Sequence, residues 1–211
     1  MDGLRGTGSH DVLADVELEP DRVSSLWAEK WPAESLYRLR TFDVLGPALT
    51  MVPLAIGRAA LDILRDKTQA DAAGDAPPGL RPRLADDPVA QLRVGQAEVA
   101  LRAARTLLFD LVDHAMDAAD LGDAPSRETS AMIGLACGES LRAARHVVQT
   151  VTELLGSAAT RDGSPMLRLR RDIAAAGTHI MFSHHVQIGL GRELAGVPTS
   201  AFPFLPGAAA T

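Results

Sequence analysis

Acidic side chains and histidines are the residues of this chain that could bind a metal ion. Helical bundles that hold two metal ions use Glu-x-x-His pairs facing the bundle interior, and the sequence contains no such pair. The nearest approach is a cluster of three aspartates and one histidine: Asp110, Asp113, His114 and Asp117. Its spacing is typical of a solvated acidic helix face. His184 and His185 are adjacent, so on a helix they point in different directions, and the sequence predicts no metal site.

His179 is the histidine that lies in an apolar neighbourhood of the sequence. It follows Asp172 by seven residues and has Ile173, Ala176 and Ile180 as apolar neighbours. The residues alone favour a core histidine that is hydrogen-bonded to a carbonyl group. Because histidine titrates near neutral pH, a general acid or base is the alternative.

Two further features could do chemistry but favour structural roles. The segment Gly6-Thr7-Gly8-Ser9 has the composition of a phosphate-binding loop. It precedes a predicted strand instead of a helix N-terminus, so a turn is the better interpretation. Cys137 is the single cysteine, which excludes an internal disulfide and is consistent with a reducing cytoplasm.

Residues 12–18 alternate apolar and acidic side chains, which predicts a half-buried β-strand. A single strand needs a partner, so this one is expected to belong to a sheet that the sequence does not encode. Residues 1–23 are therefore set apart from the helical part of the chain.

The rest of the chain predicts a helical domain over residues 24–196, followed by a tail over residues 197–211. Apolar residues at helical spacing and capping signals delimit four segments: residues 32–71, 86–121, 126–156 and 164–196. Pro47 and Pro53 are expected to kink or break the first segment. The stripe Leu92, Val99, Ala103, Leu107 and Leu111 is expected to face the core from the second. Four such helices predict an all-α, antiparallel, up-down-up-down four-helix bundle.

Composition narrows the range of partners. The net charge of −6 argues against nucleic acid, because neutralising phosphates requires a basic surface. No apolar run approaches the roughly 18 residues of a membrane span. The sequence therefore predicts a cytoplasmic protein with no nucleic-acid or membrane partner.

Several segments together resemble one family. Residues 4–12 resemble the last strand of the β-domain in acyl-CoA dehydrogenase-like flavoproteins, and residues 56–62 and 89–105 resemble the first two helices of their C-terminal bundle. The junction at Gly156-Ser157 and the pair Arg171-Asp172 resemble the family's last two helices. The resemblance covers nearly the whole chain and begins at the end of the β-domain, so it implies that residues 1–23 are the remnant of that domain's last strand. It implies that the parts holding the flavin ring and half of the substrate pocket lie outside this sequence.

The sequence also departs from the dehydrogenase pattern. Residues 67–78 lack the Arg-x-x-Phe-Gly motif, and Glu153 replaces a usual glutamine. His179 occupies the region in which many dehydrogenases place a catalytic glutamate. These departures resemble the type 2 subgroup, which includes reduced-flavin-dependent monooxygenases.

The resemblance implies a flavin-dependent oxidoreductase with FAD or FMN as cofactor. It assigns cofactor contacts to Gly156, Ser157 and Arg171 and the acid/base role to His179, with Asp43 and Asp62 as alternative bases. The chemistry is either acyl-CoA desaturation or oxygenation of an aromatic substrate. The chain alone is expected to bind no flavin tightly and to be inactive.

Two expectations about partners follow. The bundle is expected to form a dimer or tetramer, and a separate chain could supply the missing domains. The alternative from a different class is a non-catalytic helical module for oligomerisation.

Overall fold

A computed structural model of the protein describes residues 11–23, 34–73 and 84–197. The α-helices in these ranges are α1 (Thr41–Ala72), α2 (Pro88–Asp120), α3 (Arg127–Leu155), α4 (Pro165–Ala176) and α5 (His184–Leu194). The predicted all-α bundle is confirmed.

Helix α3 is the central element of the bundle. It packs against every other α-helix, most extensively against α1 and α2. The core is built from aliphatic and small side chains, and its largest members that are almost fully inaccessible include Leu64, Leu108, Ile133, Val147, Val151 and Met166.

The ends of the middle helices form where the sequence predicts them. The Asp87 carboxylate accepts hydrogen bonds from the backbone N–H groups of Val89 (2.9 Å) and Ala90 (3.1 Å), which caps α2. Ser126 caps α3 in the same way by accepting from Thr129 N (3.0 Å). Helix α3 ends at Gly156, whose φ of 58° lies in the region that glycine adopts without strain.

The predicted fourth helix is wrong as a single element, because residues 177–183 separate α4 from α5. We call residues 177–183 the α4–α5 turn; it contains a 3₁₀ helix at Ile180–Phe182. Gly177 and Thr178 favour helix weakly. The side chains of His179 and Ser183 then accept hydrogen bonds from the backbone N–H groups of Met181 and Val186, as capping residues do.

Of the two expected effects of proline on the first segment, a kink or a break, the break is wrong. Helix α1 is continuous from Thr41 to Ala72 although it contains Pro47 and Pro53. An internal proline costs a helix about 3 kcal/mol, but Pro53 is almost fully buried, and packing of the core face can offset that cost. The helix begins at Thr41, nine residues later than predicted, and residues 24–33 lie outside the described ranges.

The predicted N-terminal strand is not formed. Residues 11–19 have no regular secondary structure, and Val12, Leu13 and Val16 are exposed. The physical reason is the absence of a pairing strand among the described residues, since an unpaired strand leaves its backbone groups without hydrogen-bond partners. The Gly6–Ser9 segment and residues 198–211 of the predicted tail lie outside the described ranges.

The stripe predicted to face the core from α2 is wrong for four of its five residues, which are exposed, whereas Leu111 packs against the core. Leu92 and Val99 are 62% and 67% exposed. The buried face carries two leucines and five alanines: Ala90, Ala97, Leu101, Ala104, Leu108, Ala115 and Ala119. Small side chains on this face allow α2 to approach the rest of the bundle closely.

Helix α1 departs from the expected absence of a membrane-length apolar segment. By length and composition it could cross a membrane, with a mean hydropathy of 1.6 in its most apolar window. Because 44% of that window is buried and α1 packs extensively against α3, the same pattern is that of a core helix in this fold.

Candidate functional site

The α4–α5 turn carries His179, the predicted acid/base residue. Its Nδ1 atom accepts a hydrogen bond from the backbone N–H of Met181 at 3.3 Å. The ring lies edge-on to Phe182, with 6.4 Å between the ring centroids. With Nδ1 engaged as an acceptor, a neutral imidazole carries its proton on Nε2, so Nε2 is the nitrogen left for a ligand.

The favoured interpretation of His179 as a core residue is wrong, because the side chain is exposed. That interpretation relied on the apolar residues that are close to His179 in the sequence. Ile173 and Met181 turn into the core, whereas Ile180 is 59% exposed. Once the chain leaves the helix at Gly177, helical spacing no longer predicts which side chains share a face.

The two alternative carboxylates on α1 are engaged in the bundle. Asp43 is 4% exposed and accepts a hydrogen bond from the Ser130 hydroxyl at 2.8 Å. Arg40 also donates to Ser130, and burial lowers the pKa of this guanidinium while Asp43 opposes the shift. Asp62 forms ion pairs with Arg58 and Arg65 on α1. The buried hydrogen bond indicates a structural role for Asp43, whereas the ion pairs of Asp62 lie at the surface of α1, where such pairs contribute little to stability.

An ion pair between α3 and α5 holds the C-terminal end of α5, the end farther from the turn. Arg127 at the start of α3 donates from Nε and Nη2 to the two carboxylate oxygens of Glu193, at 2.6 and 2.7 Å. The fork geometry is the strong form of an arginine–carboxylate contact. These hydrogen bonds hold the pKa of Glu193 below its usual range and raise the pKa of Arg127.

A cleft of about 470 Å³ lies beside the turn, between α2, α3 and the start of α5. Its apolar lining includes Leu107, Leu135 and Phe182. Its polar lining includes Arg145 and His184, both exposed. The lining also contains the Glu139–Arg142 ion pair, so the cleft combines an apolar floor with charged groups of both signs, as small-molecule sites commonly do.

Two residues that hold the turn were missed by sequence reasoning. The Arg145 guanidinium lies against Gly177, where an added Cβ would be 2.6 Å from Arg145 Cζ. Gln187 donates from Nε2 to Gly134 O at 3.2 Å and to Met181 O at 3.4 Å. Neither forms a recognisable motif. The available signal was the pair of glycines on α3, Gly134 and Gly138, four residues apart on the face that receives α5.

A family model for the C-terminal domain of acyl-CoA dehydrogenases matches residues 49–184, well over half of the chain. The chain belongs to this family. Indole-3-acetate monooxygenase from Pseudomonas putida is 30% identical over 178 residues, and the enzyme of the same name from Acinetobacter baumannii is 25% identical over 178 residues. Each match covers 84% of this chain and 45% of the relative. The chain thus spans less than half the length of these curated relatives.

Two solved structures share the fold of this helical bundle. XiaF from Streptomyces sp., solved with FADH2 and glycerol, has a TM-score of 0.71 and 21% identity over 81% of this chain and 42% of XiaF. The HsaA monooxygenase from M. tuberculosis has a TM-score of 0.69 and 18% identity, over 81% of this chain and 43% of HsaA. At these identities the likeness establishes the fold.

The residues assigned to flavin contacts in this acyl-CoA dehydrogenase-like chain have the chemistry that a phosphate group needs. Ser157 and Arg171 are exposed, and the Arg171 side chain forms no ion pair with the described residues. Gly156 and Ser157 begin the 3₁₀ helix Gly156–Thr160, which packs against α4, the helix that carries Arg171. A hydroxyl and an uncommitted guanidinium on adjoining elements fit the phosphate end of a flavin.

Metal ligation has no comparable arrangement in the described ranges. No group of three or more histidine, cysteine or acidic side chains lies close enough there to hold an ion. His184 and His185 are both exposed at the first turn of α5. The single thiol, Cys137, is buried, and burial raises its pKa to about 11, which disfavours the thiolate that metals bind.

Proposed function

We propose that this chain is the C-terminal helical part of a reduced-flavin-dependent monooxygenase that oxygenates an aromatic substrate. The observation that carries the proposal is the position of His179: exposed, on a turn, with Nδ1 engaged by the backbone. No acidic side chain occurs between Asp172 and Glu193. Removing an α-proton from an acyl thioester needs a base held over the substrate, and the segment in which the family resemblance expects a carboxylate has none, so the residue types favour oxygenation over desaturation.

His179 supplies the proton-transfer chemistry of the proposed reaction. In the tautomer that the Met181 N–H group selects, Nε2 carries a hydrogen and can donate a hydrogen bond to an oxygen atom of the substrate or cofactor. Accepting a proton at Nε2 requires the ring to release that contact with Met181. Bound flavin supplies the electron transfer and oxygen activation, and the protein supplies position and exclusion of water. The names of the two curated relatives make indole-3-acetate the first substrate to test.

Flavin contacts of this chain are proposed at the phosphate end, through Gly156, Ser157 and Arg171. An exposed serine and arginine offer charge and hydrogen bonds without enclosing a ring system. We therefore propose that the chain alone binds flavin weakly and has no turnover. Each tenfold in dissociation constant corresponds to about 1.4 kcal/mol. FAD is the form to test first, because XiaF was solved with FADH2.

The decisive experiment supplies the part of the enzyme that this chain does not span. Residues 1–211 are joined to the remainder of the P. putida enzyme, outside the region of similarity, and supplied with reduced FAD, oxygen and indole-3-acetate. We expect hydroxylated product. We expect His179→Asn to lower kcat by about 10²–10⁴-fold, the range of general acid–base catalysis.

The outcome that contradicts the proposal is equally specific. A graft that desaturates an acyl-CoA, and does so at the same rate when His179 is replaced by Asn, removes both the reaction class and the residue role. A flavin absorbance band in the purified 211-residue protein would overturn the proposal of weak binding.

A second candidate function, a helical assembly module, is favoured by the exposed apolar face of α2. Leu92 and Val99 lie on that face at more than half exposure, and exposed apolar patches mark interfaces. Turnover of the graft distinguishes the two functions. A chain that is part of a monooxygenase restores turnover, whereas a chain that serves only assembly does not. Both allow a dimer or tetramer. Light scattering that gives a 22.3 kDa monomer at all concentrations would contradict self-association.

A further inference from the structure

One side chain forms hydrogen bonds with both the α4–α5 turn and α3. Gln187 Nε2 donates to Gly134 O on α3 at 3.2 Å and to Met181 O in the turn at 3.4 Å. An amide nitrogen has two hydrogens, so these two carbonyls use its full donor capacity. The same amide therefore bridges the central helix and the turn.

Both backbone polar groups of Met181 form hydrogen bonds with side chains. Its carbonyl accepts from Gln187, and its N–H donates to Nδ1 of His179 at 3.3 Å. The side chain of Met181 is 3% exposed, which anchors the residue in the core. The position of Met181 thus fixes the acceptor side of the His179 ring.

The bridge requires a helix surface without a side chain at one position. An added Cβ at Gly138 would be 2.6 Å from Gln187 Cδ, closer than real Cβ contacts allow. Gly134 is likewise covered by Leu190 of α5, whose Cδ1 would be 2.6 Å from an added Cβ. Two glycines on α3 thereby let α5 approach closely enough for the Gln187 amide to reach both carbonyls.

We propose that Gln187 is a positioning residue that holds His179 in its working orientation by tying Met181 to α3. The role in turnover rests on the proposed function of His179. The contact between Met181 and His179 does not, because it is a property of the folded chain. A contact measurement and a kinetic measurement therefore test the two ideas separately.

Gln187→Glu is the sharpest variant, because it keeps the shape of the side chain and removes both donors. A carboxylate facing two carbonyl oxygens repels them. Gln187→Met, which also lacks the donors and carries no charge, is the second variant should the glutamate disturb folding. Gln69→Glu is the matched control: the same change on an exposed position of α1. Circular dichroism and thermal melting establish that each variant is folded.

The first readout is magnetisation transfer between His179 Hε1 and the Met181 amide hydrogen in the 211-residue chain. We expect this signal in the wild type and in Gln69→Glu, and its loss in both Gln187 variants. A folded Gln187→Glu or Gln187→Met protein that keeps the signal overturns the proposal. His179→Asn assigns the resonance.

The second readout is turnover of the graft described above. A misplacement of about 1 Å can cost a reaction about 100-fold. We expect the Gln187 variants to lower kcat by about 10–100-fold, with KM changed less than about twofold. Loss of the contact with kcat unchanged overturns the positioning role. If His179→Asn itself leaves kcat unchanged, the proposed function fails, while the contact measurement still decides whether Gln187 orients the ring.

Discussion

Leu108→Ala tests the packing of the bundle, and Leu92→Ala on the same helix is its matched control. Leu108 is 1% exposed in the core between the long helices, whereas Leu92 is 62% exposed. Truncating a fully buried leucine removes its transfer free energy and leaves a cavity, which together cost about 3–5 kcal/mol. Alanine and leucine differ by only a few tenths of a kcal/mol in helix propensity, so Leu92→Ala should stay within about 0.5 kcal/mol.

The measurement is urea unfolding followed by far-ultraviolet circular dichroism, repeated at several protein concentrations. Thermal unfolding is the second measurement. For a chain of this size, 1 kcal/mol of unfolding free energy corresponds to about 2–4 °C in Tm, so we expect Leu108→Ala to lower Tm by roughly 6–20 °C. Concentration dependence separates folding from association, because a leucine that contributes only to self-association loses its effect on dilution. Equal losses from the two variants, or a loss below about 1 kcal/mol for Leu108→Ala, would refute the assigned faces of α2.

Three further results are expected. Gly95→Ala should stabilise the chain by about 0.5–1 kcal/mol in urea unfolding, because an added Cβ meets nothing within 4 Å; a loss would mean that this face is covered. Because Arg127 holds the pKa of Glu193 below its usual range, this pair stabilises the fold above pH of about 4.5 and less so as pH falls through the lowered pKa. Glu193→Gln should therefore flatten the acid branch of stability, and an unchanged acid branch would contradict the pair. Cys137 should resist alkylation at pH 8 until urea unfolds the chain, since burial raises its pKa to about 11; rapid labelling of native protein would contradict its burial.

The helix ends were predictable because each is set by a few adjacent residues. Asp87 before Pro88 and Ser126 before Arg127 carry side-chain oxygens that reach N–H groups two or three residues ahead. Such bonds form almost independently of the tertiary fold. Gly156 ends α3 for an equally local reason, its positive φ.

The buried face of α2 was not predictable by the same means, because two faces of the helix are apolar. Large residues such as Leu92 and Val99 define the stronger pattern in the sequence, yet the structure buries alanines at 97, 104, 115 and 119. Close approach of helix backbones favours small residues, and hydrophobicity alone ranks them below leucine and valine. The size of the side chains therefore determines which face of α2 packs against the core.

The break between α4 and α5 was missed for a different reason. Apolar residues continue at helical spacing through it, from Ile173 to Val186, so periodicity alone predicts one helix. The local signals predict a break: Gly177 and Thr178 are weak helix formers, and Ser183 is a good N-cap. When periodicity and capping signals disagree, the capping signals locate the turn, because they satisfy specific N–H groups that a helix end leaves unpaired.

Helical periodicity and capping signals disagree at the α4–α5 turn, which also carries His179, the residue for which a catalytic role is proposed. A histidine inside a continuous helix would pack against its neighbours on one face, as the apolar residues around His179 suggested. A histidine at the start of a 3₁₀ turn instead caps that turn with Nδ1 and presents Nε2 to a ligand. Three contacts with α3 hold the turn and the helix that follows it. Gln187 ties Met181 to α3, Arg145 covers Gly177, and Arg127 binds Glu193 at the C-terminal end of α5. The interruption of the helix is therefore what exposes the His179 ring, and the contacts of the turn with the long helices fix where that ring lies.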